Sequence, residues 1–228
     1  MIVAVDWAGF GFNEARSSPI LQGAGMFGSS SSRRERQMEL AERFADRLPP
    51  GQHIMEDWPV LTHGATPSKD AADWRIAVTG LVETELQFDL AEFGAIAAAT
   101  VHADFHCVTR FSIMDNDWEG VPVAALMELV EPRPEARAVM VHCEGGYTTN
   151  LLLDDYLRAE NLLAFQRNGT PLSAEHGGPV RLIVPHLYAW KSAKWVNGIE
   201  FSAADSPGFW ERNGYHMRGE PFAEERFG

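Results

Sequence analysis

The feature that most limits how this chain can fold is the brevity of its apolar runs. Trp74–Gly80, Val101–Phe105, Ala138–His142, Leu162–Phe165, Val180–Val184 and Trp195–Phe201 are short, rich in β-branched and aromatic residues, and stopped by Gly, Pro or polar residues. Such runs read as strands. Helical patterning is confined to a few places. Arg33–Leu48 places Leu40, Phe44 and Leu48 four residues apart before Pro49-Pro50-Gly51, Asp89 offers an N-cap for a short helix through Ile96, and Val123–Val130 follows Gly120-Val121-Pro122. The pair Asn168-Gly169 marks a hairpin turn. Strands and helices do not alternate in a βαβ rhythm and no internal repeat is visible. The expected class is therefore α+β, mixed sheets with short helices.

A chain of 228 residues fits one large domain that can bury roughly 70% of its unfolded surface without a disulfide or metal staple. Residues 1–50 read as a flexible N-terminal arm and helix, the arm being Gly- and Ser-rich and ending in Ser29-Ser30-Ser31-Ser32; Met26 offers an alternative start. Residues 51–228 read as the domain proper. The formal net charge is −13, with 32 acidic against 19 basic residues. That field repels nucleic acid and anionic membranes, so neither is an expected partner, and any anion site must be a local basic pocket. No run is apolar over the roughly 18 residues a membrane span requires, and Asp6 interrupts an opening with no basic region before it. A cytoplasmic location is the expectation.

Only two cysteines occur, Cys107 and Cys143, each preceded by a histidine. A closed zinc site would need three or four such ligands to converge, and neighbours on a strand point to opposite faces, so each doublet could supply one ligand. A small buried core thiol is the usual fate of a free cysteine. A lone thiolate can also ligate a soft metal whose other ligands come from a cofactor. The second constellation is His176-Gly177-Gly178-Pro179-Val180-Arg181 with Lys191-Ser192-Ala193-Lys194. It combines glycines that admit a ligand to the backbone with clustered cationic and hydroxyl donors. It is either a phosphate site or a solvated basic turn, and it is not a P-loop. Gly145-Gly146-Tyr147-Thr148-Thr149 is a glycine turn feeding a polar strand, with Tyr147 facing a pocket or an edge. Ser112 lacks the GxSxG setting of a hydrolase.

Taken in order, these motifs resemble the sulfite oxidase and molybdopterin-binding oxidoreductase superfamily. Asp104-Phe105-His106-Cys107-Val108-Thr109-Arg110-Phe111-Ser112 is similar to its cysteine loop. Trp118-Glu119-Gly120-Val121-Pro122, Gly146-Tyr147-Thr148-Thr149, Asn168-Gly169-Thr170-Pro171-Leu172, His176–Arg181, Lys191–Trp195 and Gly208-Phe209-Trp210-Glu211 follow. The resemblance runs from about Trp58 to the C-terminus. It implies the sulfite-oxidase-type fold, with molybdenum and plain molybdopterin as cofactor. Cys107 would be the thiolate on the metal. His176, Arg181, Ser192 and Lys194 would hold the pterin phosphate and its polar edges, His106 and Thr109 would flank the cofactor, and Tyr147 and Arg110 would face substrate. Sulfite-oxidising members bind their anion with paired arginines; here Arg110 alone follows Cys107 closely. The resemblance is to the compact, cytoplasmic branch.

The resulting expectation is a mononuclear molybdenum oxidoreductase. It would perform oxygen-atom transfer on a small sulfur- or nitrogen-containing molecule, with a separate redox protein as electron partner. The alternatives are a non-catalytic cofactor carrier or storage protein, and a binding module that has lost its cofactor.

Overall fold

The computed structural model describes residues 30–68 and 71–228; most of the Gly- and Ser-rich stretch, and the alternative start at Met26, lie outside the described residues. The elements are α1 (Ser30–Arg43), β1 (His53–Ile54), β2 (Arg75–Gly80), β3 (Leu86–Asp89), α2 (Leu90–Gly94), β4 (Ala99–His106), β5 (Phe111–Pro122) and α3 (Val123–Val130), followed by β6 (Ala138–Cys143), β7 (Thr148–Leu152), α4 (Leu153–Tyr156), β8 (Leu162–Arg167), β9 (Thr170–Pro171), β10 (Arg181–Ile183), β11 (Val196–Ser202) and α5 (Phe209–Arg212). This is the mixed α+β architecture expected from the short apolar runs.

Several elements follow from local chemistry. Asp89 caps α2 in a capping box: its side chain accepts from Glu92 N–H at 2.9 Å, and the Glu92 side chain accepts from Asp89 N–H at 2.9 Å. The Asn168-Gly169 turn closes the β8–β9 hairpin with φ of 51° and 71°, the left-handed pair that a two-residue turn of this kind demands. The helix expected over Arg33–Leu48 starts earlier and stops at Arg43, the chain continuing through turns to Leu48. α1 is tied to the rest of the fold: Gln37 donates to the Ile54 carbonyl at 2.9 Å and Arg36 pairs with Glu56.

The strands form two sheets. One holds six strands, with β5 at its centre paired to β1, β4 and β8, and β8 paired to β9 and β10. The other runs β3-β2-β11-β6-β7, with β11 parallel to β2 and antiparallel to β6. Their shared core draws Ile76, Val78, Val139, Val141, Ile199 and Phe201 from the second sheet and Leu163 and Leu182 from the first. Alternation sends Leu162, Ala164 and Ile183 to the opposite face of the first sheet, where they pack with Phe105, Cys107, Phe111, Ile113 and Trp118. The cysteine of interest therefore sits over the outer face of the six-stranded sheet, away from the shared core.

β5 was not among the strands expected. Its middle reads Asp115-Asn116-Asp117, which looks like a loop. In the fold the two aspartates face solvent, while Asn116 is buried. Asn116 donates to the carbonyls of Ala103 and Ile113 at 3.1 and 2.9 Å and accepts from Arg167 Nε at 2.7 Å. These bonds repay the desolvation of a polar side chain on the core side.

Candidate functional site

The β4–β5 connection is a tight turn over residues 107–110. Cys107 N–H donates to the Phe111 carbonyl at 2.8 Å, and Arg110 N–H donates to the Cys107 carbonyl at 3.0 Å. Arg110 closes the turn in the left-handed region at φ 73°. Because side chains alternate as β4 runs into the turn, Phe105 and Cys107 project to one face and His106 to the other. His106 is buried against Ser112, with Nδ1 and Oγ 2.8 Å apart, and Phe222 lies beside its ring. The structure therefore does not bring His106 to the cavity beside Cys107. Arg110 is exposed and is also absent from that cavity's wall.

That cavity has a volume of about 340 Å³, within the size range of sites that enclose a small-molecule ligand. Its wall includes Cys107, Thr109, Tyr147, His176, Arg181, Ser192 and Lys194. Seven of the nine residues singled out from sequence thus meet around one space, although they come from β4–β5, β10 and three separate loops. Cys107 is 9% exposed. Its Sγ lies 3.1 Å from Thr109 Oγ1. Burial pushes the thiol pKa up, and the bond from Thr109 opposes that shift.

The cationic side is assembled by backbone bonds that lock the loops together. Ala189 N–H donates to the His106 carbonyl at 2.8 Å, fixing the 185–195 segment to the cysteine strand. Trp195 N–H donates to the Gly177 carbonyl at 3.2 Å and Leu182 N–H to the Ala193 carbonyl at 2.8 Å. Gly177 takes φ 102°, and a Cβ there would meet the Lys194 side chain at 2.9 Å, so a larger residue would part the two loops.

Two cations, Arg181 and Lys194, and the His176 imidazole crowd this side. Burial, and then the charge of Arg167, push Arg181 down to about 9. Burial and Arg181 push Lys194 down to about 8. Burial, then Lys194, Arg181 and Arg167, lower His176. Among the described residues no Asp or Glu lines the cavity, so the charges of Arg181 and Lys194 lack a counter-ion on its wall. Donor capacity is left over as well. Arg181 spends Nη1 on the His176 carbonyl (2.8 Å) and Nη2 on the Ser192 carbonyl (2.7 Å), while its buried Nε has no partner among the described residues. Ser192 Oγ accepts from Val184 N–H at 2.9 Å, leaving its hydroxyl proton to donate. Lys194 commits one proton to the Glu175 carbonyl. An anionic group with several acceptor oxygens matches this donor set.

Aromatic residues missed at the sequence level complete the wall. Trp58 stacks on His176 at 4.0 Å and 11° between ring planes. The guanidinium carbons of Arg167 and Arg181 lie 4.6 and 5.2 Å from its ring centre. Trp190, Trp210 and Tyr215 form a further cluster. In the sequence Trp210 stands within the Gly208–Glu211 motif, whereas nothing local marks Trp190 or Tyr215. The other doublet does not join the site: His142 bonds Glu200 at 2.9 Å, and Cys143 is buried in the shared core. Among the described residues no three His, Cys, Asp or Glu side chains are placed so that they could hold a metal ion, so a metal on Cys107 would take its remaining ligands from elsewhere.

Residues 63–210 match the family described as oxidoreductase molybdopterin binding domain. The chain is 46% identical over 182 residues to the uncharacterized oxidoreductase YuiH of Bacillus subtilis, covering 79% of this chain and 92% of the relative. It is 29% identical over 153 residues to the protein-methionine-sulfoxide reductase catalytic subunit MsrP of Ralstonia nicotianae, covering 60% of this chain and 46% of that protein. The fold is similar to that of the sulfane dehydrogenase SoxCD from Paracoccus pantotrophus, with a TM-score of 0.58 at 22% identity over 63% of this chain and 41% of that one.

Proposed function

Since the chain belongs to the oxidoreductase molybdopterin binding domain family, we infer that its cavity holds molybdenum–molybdopterin with Cys107 as the protein's ligand to the metal. One observation carries this reading: the Cys107 thiol and a cationic, donor-rich surface without a counter-ion line the same cavity. His176, Arg181, Ser192 and Lys194 would hold the phosphate and polar edges of the pterin. Thr109, within hydrogen-bond distance of Sγ, would steady the thiolate. Tyr147 donates its hydroxyl to the Trp190 carbonyl at 2.7 Å and so shapes the wall. When bound, the cofactor supplies the two-electron redox chemistry. The chain's own groups bind, orient and exclude water.

The substrate on this reading is a small sulfur- or nitrogen-containing molecule. A separate redox protein supplies or removes electrons, in keeping with the word "subunit" in the name of the methionine-sulfoxide relative. On this reading residues 51–228 form the cofactor domain, with α1 and the turn after it held against the domain by Arg36–Glu56 and Arg47–Asp104. The two unpaired cysteines suit a cytoplasmic location, and no helix among the described residues is long and apolar enough to cross a membrane.

The test is elemental and pterin analysis of protein from a molybdenum-replete host. About one molybdenum and one pterin per chain are expected for a single thiolate site, with Cys107→Ser losing metal and turnover. Full metal content and undiminished turnover in that variant would remove Cys107 from its role.

A further inference from the structure

The turn that carries Cys107 is gripped from outside at three consecutive carbonyls. Ala189 N–H donates to the His106 carbonyl at 2.8 Å, and Gln52 Nε2 to the Cys107 carbonyl at 3.0 Å. The third grip comes from the far end of the chain: Arg226 Nη1 donates to the Val108 carbonyl at 2.6 Å. Its Nη2 reaches the Pro50 carbonyl at 3.4 Å, and its guanidinium carbon lies 4.9 Å from the centre of the Tyr188 ring. Tyr188 in turn stacks on Trp190 of the cavity wall at 5.4 Å and 19°. One guanidinium thus ties the cysteine turn to the segment after α1 and to the loop behind the cavity.

Residues 215–228 form a closed loop that presents this side chain, and they lie beyond the stretch, 63–210, that matches the family. Tyr215 and Phe227 pair as an antiparallel bridge, His216 N–H donates to the Arg226 carbonyl at 3.2 Å, and Gly228 N–H to the Gly214 carbonyl at 3.2 Å. Inside the loop the Glu220 side chain accepts from Phe222 N–H at 3.1 Å and from Ala223 N–H, while the Glu225 side chain accepts from Glu220 N–H at 2.9 Å. Tyr188 N–H donates to the Gly219 carbonyl at 2.8 Å, which docks the loop on the domain. Arg226 ends up 7% exposed, so solvent screens its charge little. Glu224 Oε1 stands 3.7 Å from its Nη2, but the Glu224 side chain is 48% exposed, so it offsets that charge weakly. The Cys107 thiol responds: burial raises its pKa, the bonds from Thr109 lower it, and the charge of Arg226 lowers it further.

Resting on Cys107 as the metal ligand, we propose that Arg226 is a positioning residue for the metal centre: it holds the cysteine turn through the Val108 carbonyl and sets a buried positive charge behind the thiolate. The planar fork anchors the turn, so that the sulfur stays aimed at the cavity. The charge stabilises the anionic sulfur and, with it, the electron-richer state of a metal bound there. The C-terminal loop therefore belongs to the functional unit, although Tyr215 is its contribution to the cavity wall.

The experiment uses metal-loaded full-length protein and separates the two contributions. Arg226→Lys keeps the charge and loses the fork, whereas Arg226→Gln keeps a donor for the Val108 carbonyl and loses the charge. Redox titration followed by the Mo(V) paramagnetic resonance signal should show a more negative Mo(VI)/Mo(V) midpoint in Arg226→Gln. The expected shift is about tenfold in the one-electron equilibrium, or about 59 mV, with Arg226→Lys near wild type. Molybdenum should leave both variants about tenfold faster than wild type, read by elemental analysis after timed incubation. Arg218→Gln is the control for the loop itself: Arg218 pairs with Asp155 on α4 at 2.8 Å, and its loss should lower Tm with midpoint and metal retention unchanged. An unmoved midpoint in Arg226→Gln, or an equal shift in Arg218→Gln, would overturn this proposal alone. Arg226 variants that take up no molybdenum support it if their circular dichroism and Tm stay native, and overturn it if the fold is lost. Wild-type protein without molybdenum, or Cys107→Ser protein that keeps it, would instead remove the cofactor reading beneath.

Discussion

Behind the Trp190 side of the cavity Lys191 and Glu211 form an ion pair whose side chains are both fully buried. Lys191 Nζ reaches Glu211 Oε1 at 2.6 Å and donates to Asn150 O at 2.8 Å, Asn150 Oδ1 at 2.9 Å and Met217 O at 2.7 Å. Removing the ammonium by Lys191→Met strands a buried carboxylate: among the described residues its Oε1 keeps only Trp190 and its Oε2 has no partner. It also takes the ammonium donor from Asn150 O, Asn150 Oδ1 and Met217 O, the last of which still accepts from Asn150 Nδ2 at 3.2 Å. Breaking a buried pair in this way costs about 3–5 kcal/mol, a fall in Tm of roughly 6–20 °C for a chain of this length. Glu211→Gln is gentler. The ammonium keeps three oxygen acceptors, and the amide oxygen can still accept from Trp190 Nε1, so a loss of about 1–3 kcal/mol is expected. In the double variant Lys191→Met/Glu211→Leu no charge remains, and stability should recover above that of Lys191→Met. Urea unfolding reads this as shifts in midpoint at unchanged slope. A Lys191→Met protein within about 1 kcal/mol of wild type, or a Glu211→Gln protein less stable than Lys191→Met, would refute the reasoning.

Three further outcomes are expected. Burial pushes His106 down to about 4, so between about pH 6.5 and 4 the unfolded chain binds a proton that the folded one resists; stability is full above pH 6.5 and falls by up to about 3 kcal/mol as pH drops to 4, and an equal slope in His106→Asn would refute this. Lys194, pushed down to about 8, loses its charge above that pH, so calorimetric affinity for a phosphate monoester should weaken as pH rises through 8 and flatten in Lys194→Met; an unchanged pH profile in the variant would count against Lys194 as a phosphate ligand. Gly120→Ala would put a Cβ 2.2 Å from the Leu163 carbonyl oxygen, prising β5 from β8 at a cost of about 1–3 kcal/mol by denaturant unfolding, and a neutral result would show that the bulge between Glu119 and Gly120 relaxes freely.

Much of the architecture was legible because the forces behind it are local. α3 over Val123–Val130 and the hairpin at Asn168-Gly169 follow from apolar periodicity and turn chemistry that neighbouring residues settle among themselves. β5 was illegible because its assignment rests on Asn116, whose polar bonds come from Ala103 and Arg167, residues distant in the chain. The same limit applies to the site. His106 and Cys107 are adjacent in sequence, yet alternation parts them, and only the register His106↔Ser112 shows where the imidazole goes. Trp58 and Arg167 stack at the edge of the cradle, but nothing in their own surroundings along the chain marks them.

By itself the sequence determined the class of fold, the cysteine turn and the His176–Lys194 stretch as places for chemistry, since these depend on residue type at short spacing. Tertiary structure alone decided that Cys107 faces those cations across one cavity, that the positive charges there lack a counter-ion, and that Trp190, Trp210 and Tyr215 wall the remaining space. The reason is that Coulomb and dispersion energies depend on distance in space, and the distances that matter here are set by loops whose backbone bonds join segments far apart along the chain.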